Sequence, residues 1–108
     1  MHSKRGNQYR FKAKIFNALS DPVRLEIIEY LREGEKCVCE IIPHVGLIQP
    51  VVSRHLKILK DCGLVKYRKI GNRRLYSVTE PRIFDTVGSL TSDLIDALSK
   101  RIIEQIAC

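Results

Sequence analysis

The segment EKCVCEIIPHVG, residues 35–46, places two thiols one residue apart, Cys37 and Cys39, just ahead of a proline and a glycine. Three roles are open to such a pair: holding a soft metal or metalloid ion between thiolates, sensing oxidation, or packing as two small apolar side chains. Two thiolates do not complete a metal site. Trivalent arsenic or antimony prefers three sulfurs, and cadmium, lead or zinc takes three or four ligands. Residues two apart on a regular helix lie about 200° apart around its axis, whereas in an extended segment they point the same way. The pair should therefore chelate only if the following helix begins at or after Cys39. An i,i+2 disulfide ring is strained, so redox sensing would favour longer-range or intersubunit bonds. Only Cys62 and Cys108 remain as further thiols.

The rest of the chain is built around positive charge. Residues 49–76 carry eight basic side chains and one acid, Asp61, which accounts for the whole formal charge of +7. The first fourteen residues add five basic groups and no acid. Charge gathered this way presents a face to an anion, foremost a nucleic-acid backbone. A solvated face kept for solubility is the plain alternative.

At 108 residues, 44% apolar and 29% charged, the chain reads as one globular domain. No apolar run approaches the roughly 20 residues of a membrane span. The basic N-terminus lacks the apolar stretch of a signal peptide, so the expected compartment is the cytoplasm and the cysteines are expected as reduced thiols. The histidines, His2, His44 and His55, are scattered. With no phosphate-binding glycine loop and no nucleophile–base set, an enzyme finds no support.

The elements that must position these groups are legible in the patterning. Residues 9–19 form a short helix. A second starts with Asp21 as cap and Pro22 at its first position, carries Val23, Ile27, Tyr30 and Leu31 as its stripe, and ends at Gly34. A short third helix near Cys39–His44 is expected to be clipped or kinked by Pro43. After a turn at Gly46 comes a stronger helix over Gln49–Asp61, stopped by Gly63. Its Val52, Leu56 and Leu59 face the core, while Gln49, Ser53, Lys57 and Lys60, with Arg54 beside them, face out. LVKYRKI and RRLYSV, joined through Gly71-Asn72, form a two-strand hairpin with Lys69, Arg73 and Arg74 at its tip. Pro81 opens a long C-terminal helix with more apolar positions than so small a domain can hide, which predicts a homodimer.

A short helix, turn, second helix and basic hairpin in that order make a winged helix-turn-helix, mainly α with a small β wing (α+β). The single domain 1–108 divides into dimerisation helices at 9–19 and 81–107, a helix-turn-helix at 39–61 and a wing at 64–78. The expected DNA contacts are Gln49, Pro50, Val51, Ser53, Arg54, Lys57, Lys60, Lys69, Arg73 and Arg74. Gln and Arg can read base edges, Ser and Lys suit phosphate oxygens, and Pro50 leaves the helix N-terminus free to face a phosphate.

IFNALSDPVRLEIIEYL, LIQPVVSRHLKILKDCGLV and GNRRLYSV, spread over residues 16–78, resemble the ArsR/SmtB (arsenic-repressor) family of metal-sensing winged-helix repressors. The resemblance implies a dimer that holds an inverted-repeat operator in double-stranded DNA until an inducer releases it. It makes the helix from Gln49 the recognition helix and the hairpin the wing. His55 matches the family's usual His in SRHL, where a structural role competes with a DNA contact.

The resemblance also implies a role for the thiols. Cys37-Val38-Cys39-Glu40 matches the pattern of arsenic- and cadmium-responsive members, which makes Cys37 and Cys39 metal ligands and a soft metal or metalloid ion the inducer, with no obligatory cofactor. The third Cys common in arsenic-responsive relatives is Ile42 here, and the N-terminal arm offers only His2. Cys62 and Cys108 resemble part of the cadmium/lead-sensor arrangement, whose further Cys is Ile58 here, so either is a candidate third ligand. The zinc site on the C-terminal helix of another subgroup needs histidines that this chain lacks. A thiol-redox switch, or a winged-helix module for protein or RNA, are the competing readings.

Overall fold

A computed structural model describes residues 4–107 of the chain; Cys108 and His2 lie outside the described residues. Two helices come first, α1 (Lys4–Leu19) and α2 (Pro22–Leu31), followed by a two-residue strand β1 (Lys36–Cys37). Next are α3 (Val38–Val45) and α4 (Gln49–Asp61), the strands β2 (Val65–Ile70) and β3 (Arg73–Val78), and finally α5 (Arg82–Gly88) and α6 (Ser92–Ala107).

The α2 start follows from its cap. Asp21 is extended, and its carboxylate accepts the backbone N–H groups of Val23 at 2.8 Å and Arg24 at 3.2 Å, with Pro22 next in line. Burial pushes the Asp21 carboxyl up, but those two N–H bonds and the nearby His55 and Arg24 outweigh it and hold the group below its usual range. Ile27, Ile28 and Leu31 of α2 pack with Ile41 of α3, with Val52, Leu56 and Leu59 of α4, and with Leu64, Val65 and Tyr76. Each large apolar side chain buried here contributes about 1.5–3 kcal/mol. The core face expected for α4 is the one found. Gly46, at φ 70°, ends α3 with its N–H on the Ile42 carbonyl and turns the chain toward α4.

Several elements differ from expectation. α1 starts at Lys4 rather than residue 9, and Phe11 and Phe16 are exposed while Ala18 and Leu19 are buried. α3 starts at Val38 rather than Cys39 and runs unbroken through Pro43 to Val45, because one missing N–H near the end of a short helix leaves the other bonds in place. The wing's first strand begins at Val65 rather than 64, and the wing is part of a three-stranded antiparallel sheet of order β1-β3-β2. β1 was too short to show in the pattern of apolar residues. The C-terminal segment is two helices rather than one. Gly88 and Ser89 end the first, and the Thr91 hydroxyl accepts the Leu94 N–H to start the second.

The Asp21 cap gives a direct test. Asp21→Ala should cost about 1 kcal/mol in urea unfolding at neutral pH. Because the folded carboxyl titrates below its unfolded counterpart, the cap's stabilisation is full above pH ~4 and fades as pH falls through the folded value. Wild type and variant should therefore converge in acid.

Candidate nucleic-acid interface and thiol pair

Cys37 is held by two elements at once. As the last residue of β1 it pairs with Leu75 of β3, next to Arg74. It is also the N-cap of α3, extended at φ −68° and ψ 147°. Its sulfur accepts the Cys39 N–H at 3.1 Å, and the Glu40 carboxylate accepts the Cys37 N–H at 3.0 Å, a reciprocal capping box. Glu40 is thus occupied in starting the helix.

The thiols converge although the helix begins before Cys39. The N-cap side chain folds over the first turn, which carries the Cys37 sulfur back toward Cys39; the Cα atoms are 5.1 Å apart and the two sulfurs are in bonding contact. The sulfur–sulfur contact lies within the pair and not at the longer range expected, and α3 starts one residue before Cys39. Cys37 is only 3% exposed, whereas Cys39 faces solvent. The helix N-terminus beneath the pair favours negative charge, the form in which cysteine binds a soft ion.

The pair opens into a groove of about 800 Å³ between α4 and the wing. Gln49, Ser53, Lys57 and Lys60 line one wall, and Asn72, Arg73 and Arg74 the other, with Tyr67 and Tyr76 between. The Tyr67 ring carries Lys60 Nζ at 5.7 Å and Arg74 Cζ at 5.0 Å, so one ring aligns a cation from each wall. Burial raises the Tyr76 hydroxyl above its usual range, against an opposing hydrogen bond with Arg74. Thr79 ties the wing's root to the end of α4, its hydroxyl donating to the Gly63 carbonyl at 2.6 Å.

Six of the ten residues expected to contact DNA therefore share one groove with the thiols. Pro50, Arg54 and Lys69 are exposed outside its walls, and Val51 is half-buried. Arg54, Lys69 and Arg73 form no ion pair among the described residues. Lys57 is bound to Asp61 at 2.9 Å, and that hydrogen bond raises its ammonium above the usual range. The pair is at the surface and yields readily to a phosphate. Arg68 is held by a two-pronged bond to Glu35 at 2.7 and 2.8 Å, which keeps the Glu35 carboxyl low and braces the wing against the lead-in to β1.

Tyr67, Tyr76 and Asn72 were not anticipated as part of this face. Tyr67 and Tyr76 are register partners on adjacent strands, a pairing visible only once the Gly71 turn is set. His55 lies with Nδ1 3.5 Å from Arg24 Nη1 and 3.9 Å from Asp21, so it joins α4 to the start of α2 in a structural role. His44 stacks on Tyr30 at 3.7 Å. Cys62 caps the end of α4 and packs partly against the core, outside the groove. Among the described residues no group of three His, Cys, Asp or Glu side chains gathers to hold a metal.

Residues 21–67 match the family model described as bacterial regulatory protein, arsR family. Over 95 residues the chain is 35% identical to an arsenical resistance operon repressor of Staphylococcus aureus, covering 88% of this chain and 89% of that one. The chain belongs to the arsR family. A probable mercury resistance operon repressor of Streptomyces lividans is 44% identical over 75 residues, 69% of this chain and 60% of that one, so the match spans less than two thirds of that relative. A homodimeric winged helix-turn-helix DNA-binding domain from Mycobacterium bovis aligns with a TM-score of 0.74 over 97% of this chain and 93% of that one, at 24% identity, a likeness of fold. The winged helix-turn-helix expected from the element order is the fold found. Proteins of the arsR family are transcriptional regulators and not enzymes.

Arg54→Ala and Arg73→Ala should each weaken duplex binding and reduce its salt slope by about one, with the melting temperature unchanged. Fluorescence anisotropy at several salt concentrations, with thermal denaturation alongside, checks both parts.

Proposed function

We propose that this arsR-family protein is a cytoplasmic homodimeric repressor that holds an inverted-repeat operator through α4 and the wing and releases it when a soft metal or metalloid ion binds Cys37 and Cys39. The observation that carries the reading is the convergence of these thiols at a junction joined covalently to α3 and by backbone pairing to the wing. The arsenical and mercury repressors among its relatives support the same class of inducer: arsenite or antimonite, mercuric ion, or cadmium, lead or zinc. A third sulfur would come from Cys108 of either protomer or from Cys62 of the partner subunit, because Cys62 lies outside the groove in its own. Bonding contact between the two sulfurs favours a second reading, in which oxidation of the same pair is the switch.

Exposed apolar surface supports the dimer. No described side chain of α6 is buried, and Leu94, Ile95, Leu98, Ile102, Ile103 and Ile106 are all exposed within a single protomer. Phe11 and Phe16 of α1 are exposed as well. Contiguous apolar surface of that kind marks a protein interface. Leu98→Asp with Ile102→Asp should yield a monomer in sedimentation velocity, still folded by circular dichroism.

Competitive binding of arsenite, cadmium, mercuric ion and zinc to the fully reduced protein tests the inducer, read by ultraviolet thiolate-to-metal absorption and a thiol count. Tight binding should consume Cys37 and Cys39, and the double variant Cys37→Ser, Cys39→Ser should keep duplex affinity and lose the response. Ion binding that leaves both thiols titratable would move the sensor elsewhere. Loss of thiols to mild oxidant without ion binding would establish the redox switch instead.

A further inference from the structure

We infer that Ile48, the residue from which α4 starts, sets base specificity on the DNA-binding face by packing on the C5 methyl group of a thymine in the major groove. The inference rests on the reading that α4 binds DNA, and deepens it by assigning a base to a side chain.

Ile48 is the N-cap of α4, extended at φ −75° and ψ 155°, and its side chain makes no capping hydrogen bond. A cap normally supplies a side-chain oxygen to the second or third N–H of its helix. Here the second residue is Pro50, which has no N–H, and the third, Val51, donates to the Ile48 carbonyl at 3.1 Å. Position 48 is thereby released from capping. It is released from packing too. Leu47 turns in against the core, and in an extended segment the next side chain turns the other way. Ile48 is accordingly 67% exposed. A branched apolar side chain that neither caps nor packs does little for the protomer's own fold.

Its place gives it a use. When a helix-turn-helix docks, the N-terminal end of its second helix meets the base edges. Ile48 directly precedes Gln49, which lines the groove with Ser53, Lys57 and Lys60, so it stands at the leading end of that wall. Those polar neighbours suit phosphates and hydrogen-bonding base edges, and none of them matches an apolar group. The apolar group that bases offer in the major groove is the thymine methyl. A single exposed isoleucine elsewhere on the surface would need no such account. At the reading end of α4 it adds the apolar contact that the wall otherwise lacks.

Replacing thymine by deoxyuridine removes the methyl and keeps the base pairing, so it isolates the contact. The duplex is one that the fully reduced full chain selects from a random pool. Each thymine of one half-site is replaced in turn, and affinity is read by fluorescence anisotropy. At one thymine the wild-type protein should lose about fourfold, the worth of one buried methyl group. Ile48→Ser should be indifferent to that replacement, with its melting temperature unchanged and its salt slope unchanged because no phosphate contact is lost. Ile48→Val should keep the discrimination. Loss at no thymine overturns the methyl contact on the wild-type data alone, whether or not the variants fold. Equal losses in wild type and Ile48→Ser give the methyl to another residue and overturn the assignment. Duplex binding without selection of any sequence overturns the thymine contact and leaves the DNA-binding reading intact. No duplex binding at all overturns the DNA-binding reading, and the thymine contact falls with it.

Discussion

The antiparallel pairing of Cys37 with Leu75 is the contact on which the rest of this arrangement depends. It is the end of a two-residue ladder, yet it joins the start of α3 to the strand that carries Arg73 and Arg74. On its other side Cys37 caps α3, which leads through the Gly46 turn into α4. The wing and α3 therefore meet at one residue, and that residue is a thiol. Any ligand that moves the Cys37 backbone must disturb the capping box, the β1–β3 pair, or both.

The surrounding packing gives this junction stiffness. Core residues of α2, α3 and α4 are almost wholly buried, the wing's root is bonded to the end of α4 by Thr79, and its flank is braced by Arg68 on Glu35. A close-packed interior transmits a displacement instead of absorbing it. The protomer's apolar periphery, α6 and part of α1, remains uncovered.

Much of this was legible in the sequence because the signals were local. Asp21-Pro22 announces the start of α2, the spacing of Val52, Leu56 and Leu59 separates the faces of α4, and Gly71-Asn72 sets the wing's turn. What could not be read depended on contacts between distant segments. β1 exists only because β3 offers it a partner, and a two-residue strand has no periodicity of its own. Tyr67 joined the groove through its pairing with Tyr76 and its two cations, Lys60 from α4 and Arg74 from across the hairpin. The break between α5 and α6 was masked by apolar spacing that continued across Gly88 and Ser89, while Thr91 supplied a new cap. The extended backbone expected at Cys37 is present, and only the helix start differs, at Val38 and not at Cys39, because Cys37 itself serves as the cap.

The central claim is that occupation of the thiol pair is coupled to DNA binding. Its most direct measurement is the affinity of the fully reduced dimer for a duplex carrying the inverted repeat it selects from a random pool, with and without one equivalent of the tightest-binding soft ion per protomer. The account predicts that the ion weakens binding by roughly 5–150-fold, the range of an ordinary coupling of ~1–3 kcal/mol, and that the duplex weakens ion binding by the same factor. An ion that occupies Cys37 and Cys39 in full while the duplex affinity stays unchanged would contradict it.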